Sequence, residues 1–543
     1  MDPEPSAVPA GGDGADRLSR LGDGALGHIL SFLPAEEAAR AAALSRRWRH
    51  VFAAVHTVSF KKSTRPVPHD DDDDDDDDES HSSGSSDDED SFSSSSDEEN
   101  PTSLLPAGAA RAFVDAVSAA LHGRHRGTHA ASAPLRALRL EFPSSNAAAY
   151  ATAIDGWLHY AIHHAGDELH LDLCLGQSPT TCDRPYLLRR RDGSAPLRRP
   201  PEPCEASYYT LPRSLFRCAS LRSLSLVSCR LDDPPAAATT IALPSLGTLH
   251  LTRVSHATGA VRRLVAGCPR LADLTLEACS NVTELSIISG ARLRRLVLRC
   301  CHDLTTVVAA DMSELRSFEY SGAGPGPSFQ TVHVPRRISS CTINFCGEEA
   351  TRPTEMGFLK IFANATDLHI KSARLGSGVG HGDLSAALEL PYFPALRNLE
   401  LTGMLPEDDV TTVAAVARML ERTPSLKTLS LFFMPEPETP DYACYHEEQL
   451  RAAHKLRYNG RMTCGVPEGA ATACLRETTR EINLVHYQGG RVQRMLAKFL
   501  LCNAMVVDEV YCEFARGPLF IQTKLMEEIT GWVMNKSANM MFF

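Results

Sequence analysis

Three regimes of hydrophobic spacing run along this chain. In the first, Leu18, Leu21, Leu26, Ile29, Leu30 and Leu33 recur at intervals of three to five residues, one helical stripe interrupted by Gly22, Gly24 and Gly27. Pro34 cannot continue that helix, and a second is predicted after the Pro34-Ala35 turn, running to about Val51. Glu36 and Glu37 suit its first turn, and Arg46, Arg47 and Arg49 its last. A hairpin of about 40 residues is too small to bury Trp48, Phe52 and all its leucines alone, so it needs a neighbour.

The second regime has the period of a strand. L-x-x-L-x-L occurs at Leu135-Leu138-Leu140, Leu221-Leu224-Leu226, Leu246-Leu249-Leu251, Leu271-Leu274-Leu276, Leu293-Leu296-Leu298, Leu396-Leu399-Leu401 and Leu426-Leu429-Leu431. Weaker copies stand at Leu169-Leu171-Leu173, Leu315-Phe318-Tyr320, Ile338-Cys341-Ile343 and Leu368-Ile370. Starts from 221 to 338 are separated by 25, 25, 22, 22 and 23 residues, the spacing of leucine-rich repeats. A strand alternates its faces, so the fourth and sixth positions point into a solenoid while the residue between them points out. Pro244, Pro269, Pro394 and Pro424, two residues before the first Leu, end the preceding segment. Between strands, Val261, Leu264, Val265 and Cys268, and likewise Val410, Val413, Ala414, Ala417 and Leu420, keep a helical period. The predicted fold is α/β: an all-helical N-terminal unit (16–55), then a leucine-rich-repeat solenoid (104–435) with a parallel sheet on its concave face and helices on its convex face. Val55, Val58 and Phe60 give a first degenerate strand within 56–62, and Ala110, Phe113, Val114, Val117 and Leu121 a helix closed by Gly123.

The third regime mixes both periods. After a 436–473 linker with a short helix at Leu450–Leu456, a strand is predicted over Arg480–Val485, a turn at Gly489-Gly490, a helix over Gln493–Asn503 and a strand over Val506–Phe514. This 474–516 unit reads as a terminal cap on the last repeat's apolar edge, followed in 517–543 by a helix from Ile521 to Met534 and a tail.

Charge changes the picture in one place. Residues 70–99 hold seventeen acidic residues and no Lys or Arg, so removing them turns the formal net charge of −12 into +5 for the remainder. With almost no apolar residues and strong self-repulsion, 63–103 is expected to be a disordered insertion, as is the 1–15 leader. Ser86 before Asp87-Asp88-Glu89 and Ser96 before Asp97-Glu98-Glu99 are candidate sites for an acid-directed kinase. A basic, Pro-rich loop is expected at 177–207, where Arg189-Arg190-Arg191 and Arg198-Arg199 stand without aromatics to stack on bases, which disfavours nucleic acid. The leader has no apolar core of a signal peptide, and no run of 18 apolar residues occurs, so no membrane association is expected. Sixteen cysteines outside a short secreted frame read as reduced thiols, hence cytoplasm or nucleus.

Chemistry is sparse. Cys229, Cys279, Cys301 and Cys346 each follow the last apolar strand position by three residues, the Asn/Cys column of the repeat. Cys300-Cys301-His302 therefore reads as part of that column, and zinc would need four ligands at recognised spacings. His163-His164 and the His122, His125 and His129 group read as solvated. No G-x-S-x-G, H-E-x-x-H or phosphate-binding Gly loop occurs, so no catalysis, metal or cofactor is expected.

Two segments resemble a known family. Leu18-x-x-Leu21, Leu26-x-x-Ile29-Leu30-Ser31-Phe32-Leu33-Pro34 and Leu44-Ser45-Arg46-Arg47-Trp48-Arg49 resemble the F-box of plant F-box proteins, with Gly22 where that family usually has Pro. The residues INL at 482–484, Tyr487-x-Gly489-Gly490, LAKFLLxNA from Leu496 and VVDEV from Val506 resemble the FBD region of plant F-box/LRR proteins. The resemblance implies a substrate receptor of an SCF-type ubiquitin ligase, itself non-catalytic, whose F-box binds a Skp-family adaptor and through it cullin and RING subunits. Leu18, Leu21, Leu26, Ile29, Leu30, Leu33, Pro34, Leu44 and Trp48 are then the expected adaptor-binding residues. The outward column between the inward pairs, including Ser225, His250, Thr275, Glu319, His369 and Glu400, is the expected target-binding surface. It lacks the Arg and Lys that a phosphate-rich ligand requires, so its target is expected to be a protein. The alternative is a repeat scaffold or receptor acting without ubiquitination.

Overall fold

A computed structural model describes residues 20–43, 46–61, 107–125, 133–142, 146–176, 207–231, 241–256, 259–279, 282–287, 292–322, 328–345, 356–375, 391–407, 410–434, 455–459 and 472–543. The leader, the acidic insertion with Ser86 and Ser96, the basic loop at 177–206, Cys346, and Leu18 and Leu44 lie outside them.

The N-terminal unit is three helices, α1 (Asp23–Leu30), α2 (Ala35–Ala43) and α3 (Arg46–Phe52). The second predicted helix is thus two, flanking residues 44–45. Pro34 has no N–H to donate, but its carbonyl accepts the Ala38 N–H at 3.0 Å and opens α2. Leu26 and Leu30 are 0% and 2% exposed. Gly27 is required because a Cβ there would stand 2.7 Å from the Ala54 Cβ, so α1 rests directly on the chain leaving α3.

That chain runs into strand Thr57–Phe60, the first of fifteen strands in one sheet. Every described pairing is parallel, and neighbours in the sheet follow chain order apart from short strands in the return segments. The register aligns Leu171, Leu224, Leu249, Leu274, Leu296, Phe318, Cys341, Leu368, Leu399, Leu429, Ile482 and Val510 in one inward column. All of these are at most 2% exposed. Stacking supplies the burial that one short strand cannot reach alone.

Leaving each strand demands a sharp turn, and Ser228, Arg253, Ala278 and Cys300 take it at φ of 57°, 49°, 49° and 53°. This left-handed conformation is uncommon for non-glycine residues, and it recurs one residue before the cysteine column. There the thiols of Cys229, Cys279 and Cys301 donate to the carbonyls of Val227, Leu251 and Leu276 at 3.6, 3.4 and 3.6 Å. Burial pushes the Cys229 thiol well above its ordinary pKa, consistent with a structural proton donor.

The return side is not uniformly helical. Helices Ala260–Ala266, Thr411–Glu421, Arg491–Asn503 and Leu519–Trp532 occupy it, but Glu284–Ile287, Thr306–Asp311 and Ser328–His333 form a second parallel sheet instead. Repeats of 22 residues leave too little chain for a helix and two connections.

Helix α4 (Ala107–His125) buries Ala110, Phe113, Val117 and Leu121 as expected but continues past Gly123, and with α5 (Ala151–His163) it covers the first rungs. Arg124, fully buried on α4, donates from Nε to the Val55 carbonyl at 2.6 Å, from Nη1 to the Tyr160 hydroxyl at 3.2 Å, and from Nη2 to the Ala133 carbonyl.

The C-terminal region continues the repeat sheet. Glu481–Tyr487, Glu509–Phe514 and Asn539–Phe542 are the last three strands of the same sheet, so the expected tail is a strand. Lys455 and Leu456 are extended against Arg516 rather than helical, and 450–454 lie outside the described residues. Arg494 holds this strip: it pairs with both oxygens of Glu528 at 2.9 and 2.6 Å and lies 5.0 Å from the Tyr458 ring centroid. Glu407 accepts the Arg491 N–H at 2.7 Å, placing a carboxylate at the start of helix Arg491–Asn503.

Candidate functional site

Two surfaces are candidates. The first is the face of α1 and the turn after it. Three apolar side chains open to solvent here, Leu21 (36% exposed), Ile29 (40%) and Phe32 (77%), with Leu33, Pro34 and Trp48 half-buried beside the core. Leu26 and Leu30 face inward and hold the helices together, so in this arrangement they support the surface from beneath. The i, i+3 spacing of Leu26 and Ile29 put both on one predicted stripe, but a short helix packed on one side divides that stripe between core and solvent. Phe32 is the exposed aromatic that periodicity missed, because it lies beyond the helix end; its sequence signal was an aromatic immediately before Leu33-Pro34.

The surface is fixed to the solenoid. Arg47 donates to Asp23 at 3.1 Å and to the Leu21 carbonyl, tying α3 to the start of α1. The Ser31 hydroxyl donates to the Gly27 carbonyl at 2.8 Å and accepts the His56 N–H at 3.1 Å. His28 Nδ1 and His56 Nε2 share a hydrogen bond at 2.8 Å. Burial, then the His28, Arg136 and Arg124 charges, push the His56 pKa down.

The second surface is the solvent side of the long sheet. The register brings Asp172, Ser225, His250, Thr275, Val297, Glu319, Thr342, His369, Glu400 and Ser430 into one column, which unites all six predicted target-facing residues. Val297, however, is 0% exposed and offers no contact. Around Ser225, His250 and Thr275 lies a hollow of about 480 Å³, also lined by Asp172, Arg295 and Arg299. The last two occupy the flanking columns, two residues either side of Val297, and same-face parity along the strand could have identified them. Arg299 grips Glu319 through two bonds of 2.5 and 3.0 Å, and His369 contacts the Thr402 hydroxyl at 3.0 Å and the Glu400 carboxylate at 3.2 Å. Burial, then Arg295, lower the His250 pKa against the opposing pull of Asp172 and Asp273, so its ring is neutral at pH 7. The hollow offers neutral donors and acceptors with carboxylates and guanidinium groups at its margins, a surface for polar recognition. Among the described residues, no group of three or more His, Cys, Asp or Glu could hold a metal ion, and no helix is long and apolar enough to cross a membrane.

Comparison with known proteins agrees with this division. Residues 18–56 match the F-box domain, and residues 197–336 match the leucine-rich-repeat model described as "FBD-associated F-box protein At5g56370, LRR repeats". The F-box/LRR-repeat protein At1g55660 of Arabidopsis thaliana is 40% identical over 98 residues, 17% of this chain and 26% of that protein. The putative F-box/FBD/LRR-repeat protein At4g00315 of the same plant is 38% identical over 98 residues, 17% of this chain and 21% of its own length. The putative FBD-associated F-box protein At5g56560, also from Arabidopsis thaliana, is 23% identical over 331 residues, 59% of this chain and 69% of that protein. The chain thus has an N-terminal F-box followed by leucine-rich repeats and is similar to plant F-box/FBD/LRR-repeat proteins, while its matches span about a quarter or less of the first two relatives.

Proposed function

We propose that this chain is the substrate-recognition subunit of an SCF-type ubiquitin ligase in the cytoplasm or nucleus, with α1 to α3 holding a Skp-family adaptor and the solvent side of the sheet holding a target protein. The observation that carries this reading is the cluster of Leu21, Ile29 and Phe32, solvent-facing apolar residues on an F-box-matching unit locked to one end of a fifteen-strand sheet. F-box domains generally bind Skp-family adaptors, and a cullin and RING subunit would follow through the adaptor. The chain performs no bond chemistry in this reading. It contributes proximity, raising the effective concentration of a target lysine at the ubiquitin-charged enzyme.

Co-purification with a Skp-family adaptor tests it. The wild-type chain retains adaptor, and Ile29→Glu with Phe32→Asp loses it while keeping the wild-type circular dichroism, because both side chains stand in solvent. Leu30→Ala instead lowers stability by about 2–5 kcal/mol, the cost of truncating a buried leucine. A wild-type chain that retains no adaptor would remove the ligase reading.

A further inference from the structure

The strand register reveals a basic ladder that does not belong to the target-facing column. Each repeat places one residue directly after its first apolar anchor, and successive residues at this position are joined across rungs by backbone hydrogen bonds. The N–H groups of Arg316, Arg397, Lys427 and Arg480 donate to the carbonyls of Arg294, Thr366, Arg397 and Lys427 at 2.9, 2.8, 2.7 and 2.8 Å, and Ser339 bridges from Arg316 at 2.8 Å. Arg294, Arg316, Ser339, Arg397, Lys427 and Arg480 are all exposed along this rim, where the chain enters the strands. Rungs of a parallel sheet are about 4.8 Å apart, so the six steps from Arg294 to Arg480 span roughly 29 Å.

The rim is most cationic at its Arg294 end. Arg292 and Arg295 flank Arg294, and Arg336 and Arg337 stand exposed one repeat beyond Arg316. The carboxylates interleaved there are Asp273 and Glu314, and Glu314 makes only a long 3.8 Å contact with the largely solvent-exposed Arg292. At the far end Arg480 pairs with Asp508 at 3.7 Å, and Asp367 and Glu481 follow Thr366 and Arg480 directly, whereas Arg294, Arg295, Arg316, Arg397 and Lys427 form no ion pair among the described residues. Unpaired like charges held a rung apart repel one another, and an anionic partner relieves that repulsion.

We infer that this rim is a docking surface for an extended, carboxylate-rich segment of a partner protein, laid across the rungs from Arg294 toward Arg480. An extended chain advances about 3.3 Å per residue, so about nine residues cover the ladder. A protein segment fits better than a nucleic acid because the neutral Ser339 and Thr366 interrupt the charge for two rungs, whereas a nucleic-acid backbone carries a charge at every step. The inference goes beyond the adaptor reading and does not depend on it, because the ladder lies in the repeats and not on α1 to α3.

Fluorescence anisotropy of the full chain with a labelled twelve-residue Asp/Glu peptide tests the surface, with a dT12 oligonucleotide as the second probe. The peptide binds at low salt and weakens steeply as salt rises. Arg294→Glu with Arg316→Glu reduces its affinity at least tenfold, and Arg397→Glu with Lys427→Glu does so separately, while both double variants keep the wild-type circular dichroism and thermal midpoint. No peptide binding by the wild-type chain, affinity unchanged in both double variants, or tighter binding of dT12 than of the peptide would each overturn the inference.

Discussion

Replacing Arg124 tests how firmly the N-terminal helices are joined to the repeats. Its guanidinium is fully buried and has no carboxylate partner among the described residues; it donates to the carbonyls of Val55 and Ala133 and the hydroxyl of Tyr160. These acceptors lie after α3, before strand Leu135–Glu141 and on α5, so one side chain joins the F-box end to the first two rungs. Arg124→Met keeps much of the volume and removes every donor. Hydrogen bonds to a charged group contribute about 1.5–3 kcal/mol each, but the lost desolvation cost of the cation offsets part of three such bonds. The net expected loss is about 3 kcal/mol, and since about 1.4 kcal/mol is tenfold, local opening becomes on the order of a hundredfold more frequent. Amide hydrogen exchange at Val58, Ser59 and Phe60 reads this directly, with the Leu399 and Leu401 amides, several rungs away, as an internal reference. Acceleration of the first set alone is the expected result. Equal exchange in wild type and Arg124→Met would refute the reasoning, since it would mean that water replaces the guanidinium at no cost.

Two further predictions follow from local geometry. Gly22 already has φ −66° and ψ 155°, within the range of proline, and a Cβ there meets nothing within 4 Å. Gly22→Pro should therefore stabilise the chain by about 0.4–1 kcal/mol through the unfolded state, read as a higher denaturant midpoint at unchanged slope. A lower midpoint would show that the Gly22 N–H or its neighbour's backbone is needed. His56, His170 and His250 all have folded pKa values pushed below the ordinary 6.5, first by burial. The unfolded chain therefore binds more protons as pH falls through 6.5, so stability present above that value is lost progressively on the acid side. Denaturation midpoints from pH 8 down to pH 5 should fall below about pH 6.5; a midpoint that rises on acidification would contradict the sign.

The repeating anchors were legible because they answer to one-dimensional rules. A leucine every second residue in a short strand, repeated at 22 to 25 residues, has few ways to be buried other than by stacking, and Leu224, Leu249, Leu274 and Leu296 stack as the spacing requires. The cysteine column was legible for the same reason, since its offset from each strand is constant. The column on the solvent side of the sheet follows from the alternate parity of those strands, although parity did not show that Val297 and Thr275 within it are buried.

What the sequence by itself determined is therefore an all-helical N-terminal unit, the repeat, and the parity of the inward and outward columns, all set by local period. Only the tertiary structure decided which half of the α1 stripe is open, and it separated Ile29 and Phe32 from Leu26 and Leu30. It alone placed Arg124 at the meeting of three segments and added Asn539–Phe542 to the sheet as its last strand. These outcomes depend on contacts between residues tens to hundreds of positions apart, and periodicity carries no information about which separate segments come to share a surface.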